Sequence, residues 1–137
     1  MNKQISNFSR RKFVGFGLAS ALAPSVVRGK SPNGKLNMGI IGSGGRGGAN
    51  LNGVKAENIH TLCDINRKTL EAVQKRFKGA KTTTDWREVV SNPDIDAVVI
   101  STADHHHAPA AIAAMRAGKH VYCEKGLTRT FDEGVVL

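Results

Sequence analysis

The sequence predicts an α/β fold, a doubly wound parallel sheet with helices on both faces. Three observations predict it. Short apolar runs of strand character alternate along the chain with stretches of helical period. Gly42, Gly44 and Gly47 follow the first such run in the G-x-G-x-x-G spacing that leads from a strand into a helix. A carboxylate, Asp64, ends the second run 22 residues after Gly42, where such folds hold a group that hydrogen-bonds a ribose.

Residues 1–30 read as an export signal outside the fold. Ser9-Arg10-Arg11-Lys12-Phe13 is a twin-arginine (Tat) pattern, and the fifteen residues from Phe13 to Val27 carry no charge. That falls short of the roughly 20 residues a bilayer-crossing helix needs. A basic head, a modest apolar centre and the small residues Ala19-Ser20-Ala21 fit a leader cleaved after Ala21. The expected destination is the periplasm or another exported location, with the membrane involved only during export. A short amphipathic anchor or an unstructured arm is the alternative. Residues 31–34, Ser-Pro-Asn-Gly, read as a linker, and residues 35–137 as the folded domain.

Met38 to Ile41 is the first strand. Gly42 permits the tight turn after it, Gly44 lets backbone approach a pyrophosphate, and Gly47 lets the next helix pack against the strand. Free N–H groups at that helix start, with the positive end of the dipole behind them, suit phosphate. Asn58 to Cys63 is the second strand. From Asn66 to Lys78, Leu70, Val73 and Phe77 recur at helical spacing and Gly79 stops the helix. Lys81 to Thr84 is a short β-branched strand. Asp85 and Glu88 have the spacing of a capping box, and Asn92-Pro93-Asp94 breaks the helix they begin. Asp96 to Ser101 is apolar without alternation, as a strand covered on both faces should be. A helix from Pro109 to Ala117 ends at Gly118, Lys119 to Cys123 is the fifth strand, and Thr130 with Glu133 forms another capping box. In the order 3-2-1-4-5 the glycine turn, the loop Thr102 to Ala108 and the segment Glu124 to Gly126 converge at the carboxyl ends of the strands.

Composition bounds the function. A chain of 137 residues is one domain's worth, too short for a nucleotide-binding domain and a full substrate domain together. The net charge of +9 lies mostly in residues 1–30, which hold six bases and no acid; the rest carries +3. With one Trp, one Tyr and no interleaving of basic and aromatic residues, nucleic-acid binding is not expected. Cys63 and Cys123 end strands separated by two others, roughly 14 Å at about 4.8 Å per strand. That exceeds the reach of a disulfide, so two buried free thiols are expected. No metal is expected either. His105-His106-His107 stand on what reads as an extended loop, where consecutive rings alternate in direction and no carboxylate cluster joins them.

Taken together, Gly42-Ser43-Gly44-Gly45-Arg46-Gly47, Cys63-Asp64, Asp94-Ile95-Asp96-Ala97-Val98, Asp104-His105-His106-His107-Ala108 and Ala117-Gly118-Lys119-His120-Val121-Tyr122-Cys123-Glu124-Lys125 closely resemble the N-terminal half of Gfo/Idh/MocA oxidoreductases. The resemblance runs from about Lys35 to the end of the chain. It implies a Rossmann domain, incomplete at its C-terminus, that binds NAD, with NADP left open. It also implies redox chemistry on a sugar, polyol or related small molecule, and a second α/β domain beyond these residues that holds most of the substrate site. A homo-oligomer is implied for a form that carries that domain.

Carried over by resemblance, Gly42, Gly44, Gly45, Arg46 and Gly47 would contact the pyrophosphate and Asp64 the adenosine ribose. Thr102, Asp104 and His107 would line the nicotinamide side, with Glu124 beside the cofactor. Lys125 matches the lysine of the family's Glu-Lys-Pro motif and would assist proton movement during hydride transfer. An acid at 64 favours NAD, although Arg67 and Lys68 stand close enough in sequence to weaken the preference. Ala103 and Gly126 replace two prolines usual in the family. By residue type alone, Asp64 could instead cap a helix, Arg46 could be a solvated helix-start residue, and Lys125 a solvated surface lysine. A non-catalytic dinucleotide-binding remnant and an NAD-dependent glycosidase of the same superfamily are the alternatives to the oxidoreductase.

Overall fold

The computed structural model describes residues 34–137; the twin-arginine segment lies outside the described residues. Five parallel strands, β1 (Asn37–Ile41), β2 (Asn58–Cys63), β3 (Lys81–Thr83), β4 (Ala97–Ile100) and β5 (His120–Cys123), form one sheet in the order β3-β2-β1-β4-β5. The helices are α1 (Arg46–Gly53), α2 (Arg67–Gln74), α3 (Trp86–Ser91), α4 (His107–Arg116) and α5 (Phe131–Val136). This is the doubly wound order expected from the sequence.

The sheet separates two cores. Met38, Ile40, Leu62 and Val99 pack with Leu51 of α1 and with Leu70 and Val73 of α2. Ile41, Cys63, Val98 and Ile100 pack with Val89 and Val90 of α3 and with Ala110, Ala111 and Ala114 of α4. All four residues of β4 are buried, Ala97 and Val99 in the first cluster and Val98 and Ile100 in the second. A run without polar alternation is what a strand covered on both faces requires. β5 stands at the edge of the sheet and is only partly covered, with Tyr122 52% exposed.

Several boundaries move from their expected places. α2 is capped by Asn66, whose side chain accepts from Lys68 N and Thr69 N, and it ends at Gln74, not Lys78. Asp85 caps α3 through Arg87 N, but Glu88 does not reach back to complete a box; its Oε2 accepts from Thr83 Oγ1 at 2.6 Å. The box at Thr130 and Glu133 is complete. The largest difference concerns the histidines. Asp104–His106 form a 3₁₀ turn that runs into α4 at His107, two residues before Pro109. Proline fits anywhere in the first turn, where N–H groups have no intrahelical partner, so it did not mark the first residue. Cys63 is buried and Cys123 half-buried, both free. Burial is thus as expected for Cys63 and incomplete for Cys123, because β5 is an edge. No helix among the described residues is long and apolar enough to cross a membrane.

Candidate dinucleotide-binding site

Two glycines shape the turn between β1 and α1 for different reasons. Gly42 has φ +85°, and a Cβ there would lie 2.7 Å from the carbonyl oxygen of Ser101. A Cβ on Gly47 would lie 1.9 Å from the carbonyl oxygen of Gly42. The first position needs glycine for its backbone, and the second because α1 rests directly on the turn. Gly44 faces α2, where a Cβ would meet Thr69 Cγ2 at 2.9 Å. Gly45 occupies the cap position of α1 without a side-chain hydrogen bond. Among the described residues the N–H groups of Gly45 and Arg46 have no acceptor. An uncapped helix start with free donors attracts an anion.

Asp64 faces this turn from the end of β2. Its Oδ2 accepts from Ser43 N at 2.9 Å, Gly44 N at 3.1 Å and Ser43 Oγ at 3.2 Å. Its Oδ1 accepts from Asn66 N at 2.9 Å. The helix cap is Asn66, so Asp64 is left to orient the glycine turn. A cavity of about 640 Å³ opens beside it, lined by Gly42, Gly44, Asp64, Ile65, Trp86 and Arg87 on one side and by Ser101, Thr102, Ala103, His105 and His106 on the other. Arg87 stacks on Trp86 with its guanidinium 4.8 Å from the ring and is held by Asp85 at 3.3 Å.

A second network joins α1 to the end of β5. Glu124 Oε1 accepts from Arg46 Nε at 2.8 Å and from Asn50 Nδ2 at 2.9 Å, and Asn50 Nδ2 also reaches Ser101 Oγ at 2.9 Å. The Asn50 amide, and then Arg46, hold the Glu124 carboxyl down at about 2. Glu124 in turn raises the Arg46 guanidinium above its ordinary value. The Arg46 side chain is 70% exposed. Lys125 N donates to Glu124 Oε2 at 3.3 Å; the lysine is exposed and makes no ion pair among the described residues. The following peptide, Lys125–Gly126, is cis.

Residues 36–137 match the Gfo/Idh/MocA family, described as an oxidoreductase family with an NAD-binding Rossmann fold. The chain belongs to that family. It is 37% identical over 109 residues to the levoglucosan dehydrogenase of Pseudarthrobacter phenanthrenivorans (strain DSM 18606 / JCM 16027 / LMG 23796 / Sphe3), an alignment covering 72% of this chain and 28% of the relative. It is 35% identical to a glycosyl hydrolase family 109 protein of Solibacter usitatus (strain Ellin6076), covering 85% of this chain and 32% of that one. A solved levoglucosan dehydrogenase in complex with NADH superposes with a TM-score of 0.67 at 36% identity, covering 74% of this chain and 30% of that chain. The chain therefore spans under a third of the length of these curated relatives.

Within this Gfo/Idh/MocA Rossmann domain the residues singled out from the sequence fall into three groups. Gly42, Gly44, Asp64 and Thr102 line the cavity; Gly45 and Gly47 build the turn behind it. Arg46, Glu124 and Lys125 stand outside the cavity wall and reach it through Asn50 and Ser101. Asp104 and His107 also lie off that wall. The Asp104 carboxylate accepts from His105 N and is 64% exposed, whereas the His107 ring is buried. The rings on the cavity wall are those of His105 and His106, because a helical turn, not an extended loop, carries the three histidines. Among the described residues no three His, Cys, Asp or Glu side chains are grouped to hold a metal. Sequence reading missed Ser43, Asn50, Ser101, Trp86 and Arg87 as parts of the site. Trp86 and Arg87 carried a signal, since only Thr84 and Asp85 separate them from the third strand and its carboxyl end borders the crevice. Arg67 turns away, lining a separate hollow with Leu70 and Thr83.

Proposed function

We propose that this chain is the cofactor half of an exported NAD(P)-dependent oxidoreductase acting on a sugar, polyol or related carbinol. The observation that carries the reading is the pair of acceptor-free N–H groups at Gly45 and Arg46 on an uncapped helix start, beside a cavity bounded by Asp64. Pyrophosphate fits the first feature and a ribose diol the second. In this reading Gly42, Gly44, Gly45 and Gly47 allow the phosphates to approach, and the exposed Arg46 guanidinium adds charge. Asp64 accepts from a ribose hydroxyl through Oδ1, whose one donor among the described residues is Asn66 N. Thr102, on the cavity wall, borders the nicotinamide end. When bound, the dinucleotide would supply hydride chemistry for a carbinol carbon. Lys125 holds or moves the proton that accompanies the hydride, and Glu124 fixes the backbone next to that lysine and holds Arg46 by its Nε.

Trp86 is the one tryptophan of the chain and lines the cavity, so its emission reports occupancy directly. Saturable quenching by NAD and by ADP-ribose, absent with nicotinamide mononucleotide alone, is the expected result. No saturable change up to millimolar NAD would sink the reading. In a turnover assay, oxidation of a free sugar or polyol should yield net reduced nicotinamide. The glycosyl hydrolase relative, aligned over more of this chain than the dehydrogenase, supports a second reading as an NAD-assisted glycosidase. Release of an aglycone at constant NAD would select it. Export is tested by fusing residues 1–34 to a reporter, where Arg10→Lys with Arg11→Lys should hold the reporter in the cytoplasm.

A further inference from the structure

His107 is 2% exposed, yet both of its ring nitrogens meet carbonyl oxygens: Nδ1 lies 2.8 Å from Gly126 O and Nε2 lies 3.0 Å from Thr102 O. Those oxygens belong to two different loops. Thr102 follows β4 and borders the cavity, whereas Gly126 follows Lys125 beyond β5. The β4 and β5 strands are paired only as far as Ile100 and Cys123, with one further backbone bond from Glu124 N to Ile100 O at 3.0 Å. Beyond that point two side chains join the loops among the described residues: Asn50, whose Nδ2 donates to Ser101 Oγ and Glu124 Oε1, and His107, whose ring donates to one of its two carbonyls in either neutral tautomer and to both when each nitrogen carries a proton. A side chain that reaches two carbonyls from a buried position is anchored by its own helix, because α4 begins at this residue. Rotation of the ring would break both contacts and leave a polar group buried without a partner, which is costly.

We infer that His107 is a positioning residue: it clamps the Thr102 carbonyl to the Gly126 carbonyl and so sets where Lys125 stands relative to the cofactor crevice. The inference rests on the reading of Lys125 as the residue that handles the proton, but the clamp itself is a property of the chain without cofactor.

The test is nitrogen-15 relaxation of the 137-residue chain without dinucleotide, on the natural sequence, His107→Leu and His107→Gln. Backbone order parameters of Lys125, Gly126 and Leu127 should lie near the rigid value of about 0.85 in the natural chain and drop below about 0.6 in the Leu variant. Those of β1 and β4 should stay unchanged. Gln, which retains a donor of similar reach, should recover part of the loss. The ring of the natural chain should also show an N–H proton protected from solvent exchange. Unchanged order at 125–127 in the Leu variant, an equal loss across the whole sheet with no recovery by Gln, or a ring proton exchanging at the free rate would each overturn the clamp. Should the Leu variant not fold, the ring proton and the Gln variant decide. NAD titration is a separate measurement, so failure to bind cofactor and failure of the clamp are told apart.

Discussion

Arg46 Nε lies 2.8 Å from Glu124 Oε1, although 78 residues separate them. The bond ties the helix that begins at the glycine turn to the loop that carries Lys125, closing the crevice side of the sheet between β1 and β5. Glu124 titrates far below its ordinary range, to about 2, because Asn50 and Arg46 both donate to it. A depressed carboxylate contributes stability that is present above about 4.5 and lost as pH falls toward about 2. The melting-temperature gap between the natural chain and Glu124→Gln should therefore be constant near neutrality and shrink across that window. A gap that is flat with pH would show that the charge at 124 does not contribute.

Lys119 is buried, with Nζ donating to Asn92 O at 2.6 Å and Ile95 O at 2.9 Å. Burial lowers its ammonium value, opposed by Asp96. The unfolded chain then holds the proton to higher pH than the folded one, so stability rises with pH between the lowered value and about 10.5. Lys119→Met should remove that slope. It should also cost about 1–3 kcal/mol through two carbonyls left without a donor, a fall in melting temperature of roughly 4–8 °C for each kcal/mol.

Gly47→Ala places a methyl 1.9 Å from the Gly42 carbonyl oxygen, which forces α1 off the turn. We expect a loss of about 1–3 kcal/mol in stability and at least about tenfold in NAD affinity, since each 1.4 kcal/mol is tenfold. Gly53→Ala is the control. It meets nothing within 4 Å and should stabilise the fold by about 0.4–1 kcal/mol. Paired melts and Trp86 titrations of the two variants check the contrast.

Asp64→Ala removes the acceptor of Ser43 N, Gly44 N and Asn66 N. Charge-assisted bonds of about 1.5–3 kcal/mol predict a roughly 10- to 100-fold weaker affinity for NAD. Affinity for NADP should fall less, because the repulsion of a 2′-phosphate goes with the carboxylate. Parallel titrations with both dinucleotides decide it, and an unchanged ratio would remove Asp64 from the ribose.

Burial pushes the Cys63 thiol up to about 12 and the Cys123 thiol to about 11. Thiolate is the reactive form, so a disulfide reagent at neutral pH should label neither quickly in the native chain. Both should label in denaturant, and mass under non-reducing conditions should show no bridge.

Local pattern carried the fold. The unbroken apolar run of β4, the glycine spacing after β1 and the Thr130 box each depend on residues a few positions apart, so the period and the turn chemistry were readable without a partner. The same holds for the place of Asp64 at the end of β2 and for the thiols that cannot meet. What the side chains touch was not readable in this way. Glu88 matched a capping box, yet it turned to Thr83, whose hydroxyl β3 brings within 2.6 Å. Of the three histidines, His107 was the one that the resemblance assigned to the nicotinamide side. Only the 3₁₀ turn placed its ring in the interior and left His105 and His106 on the crevice wall. The pairings of Arg46 with Glu124, Asn50 with Ser101 and Lys119 with Asn92 span 27 to 78 residues. The amino-acid sequence by itself determined the element order, the parallel winding and the crevice at the strand ends. The tertiary structure decided which polar groups satisfy one another there, because parallel crossovers bring together residues from separate strands and no local period encodes who will face whom.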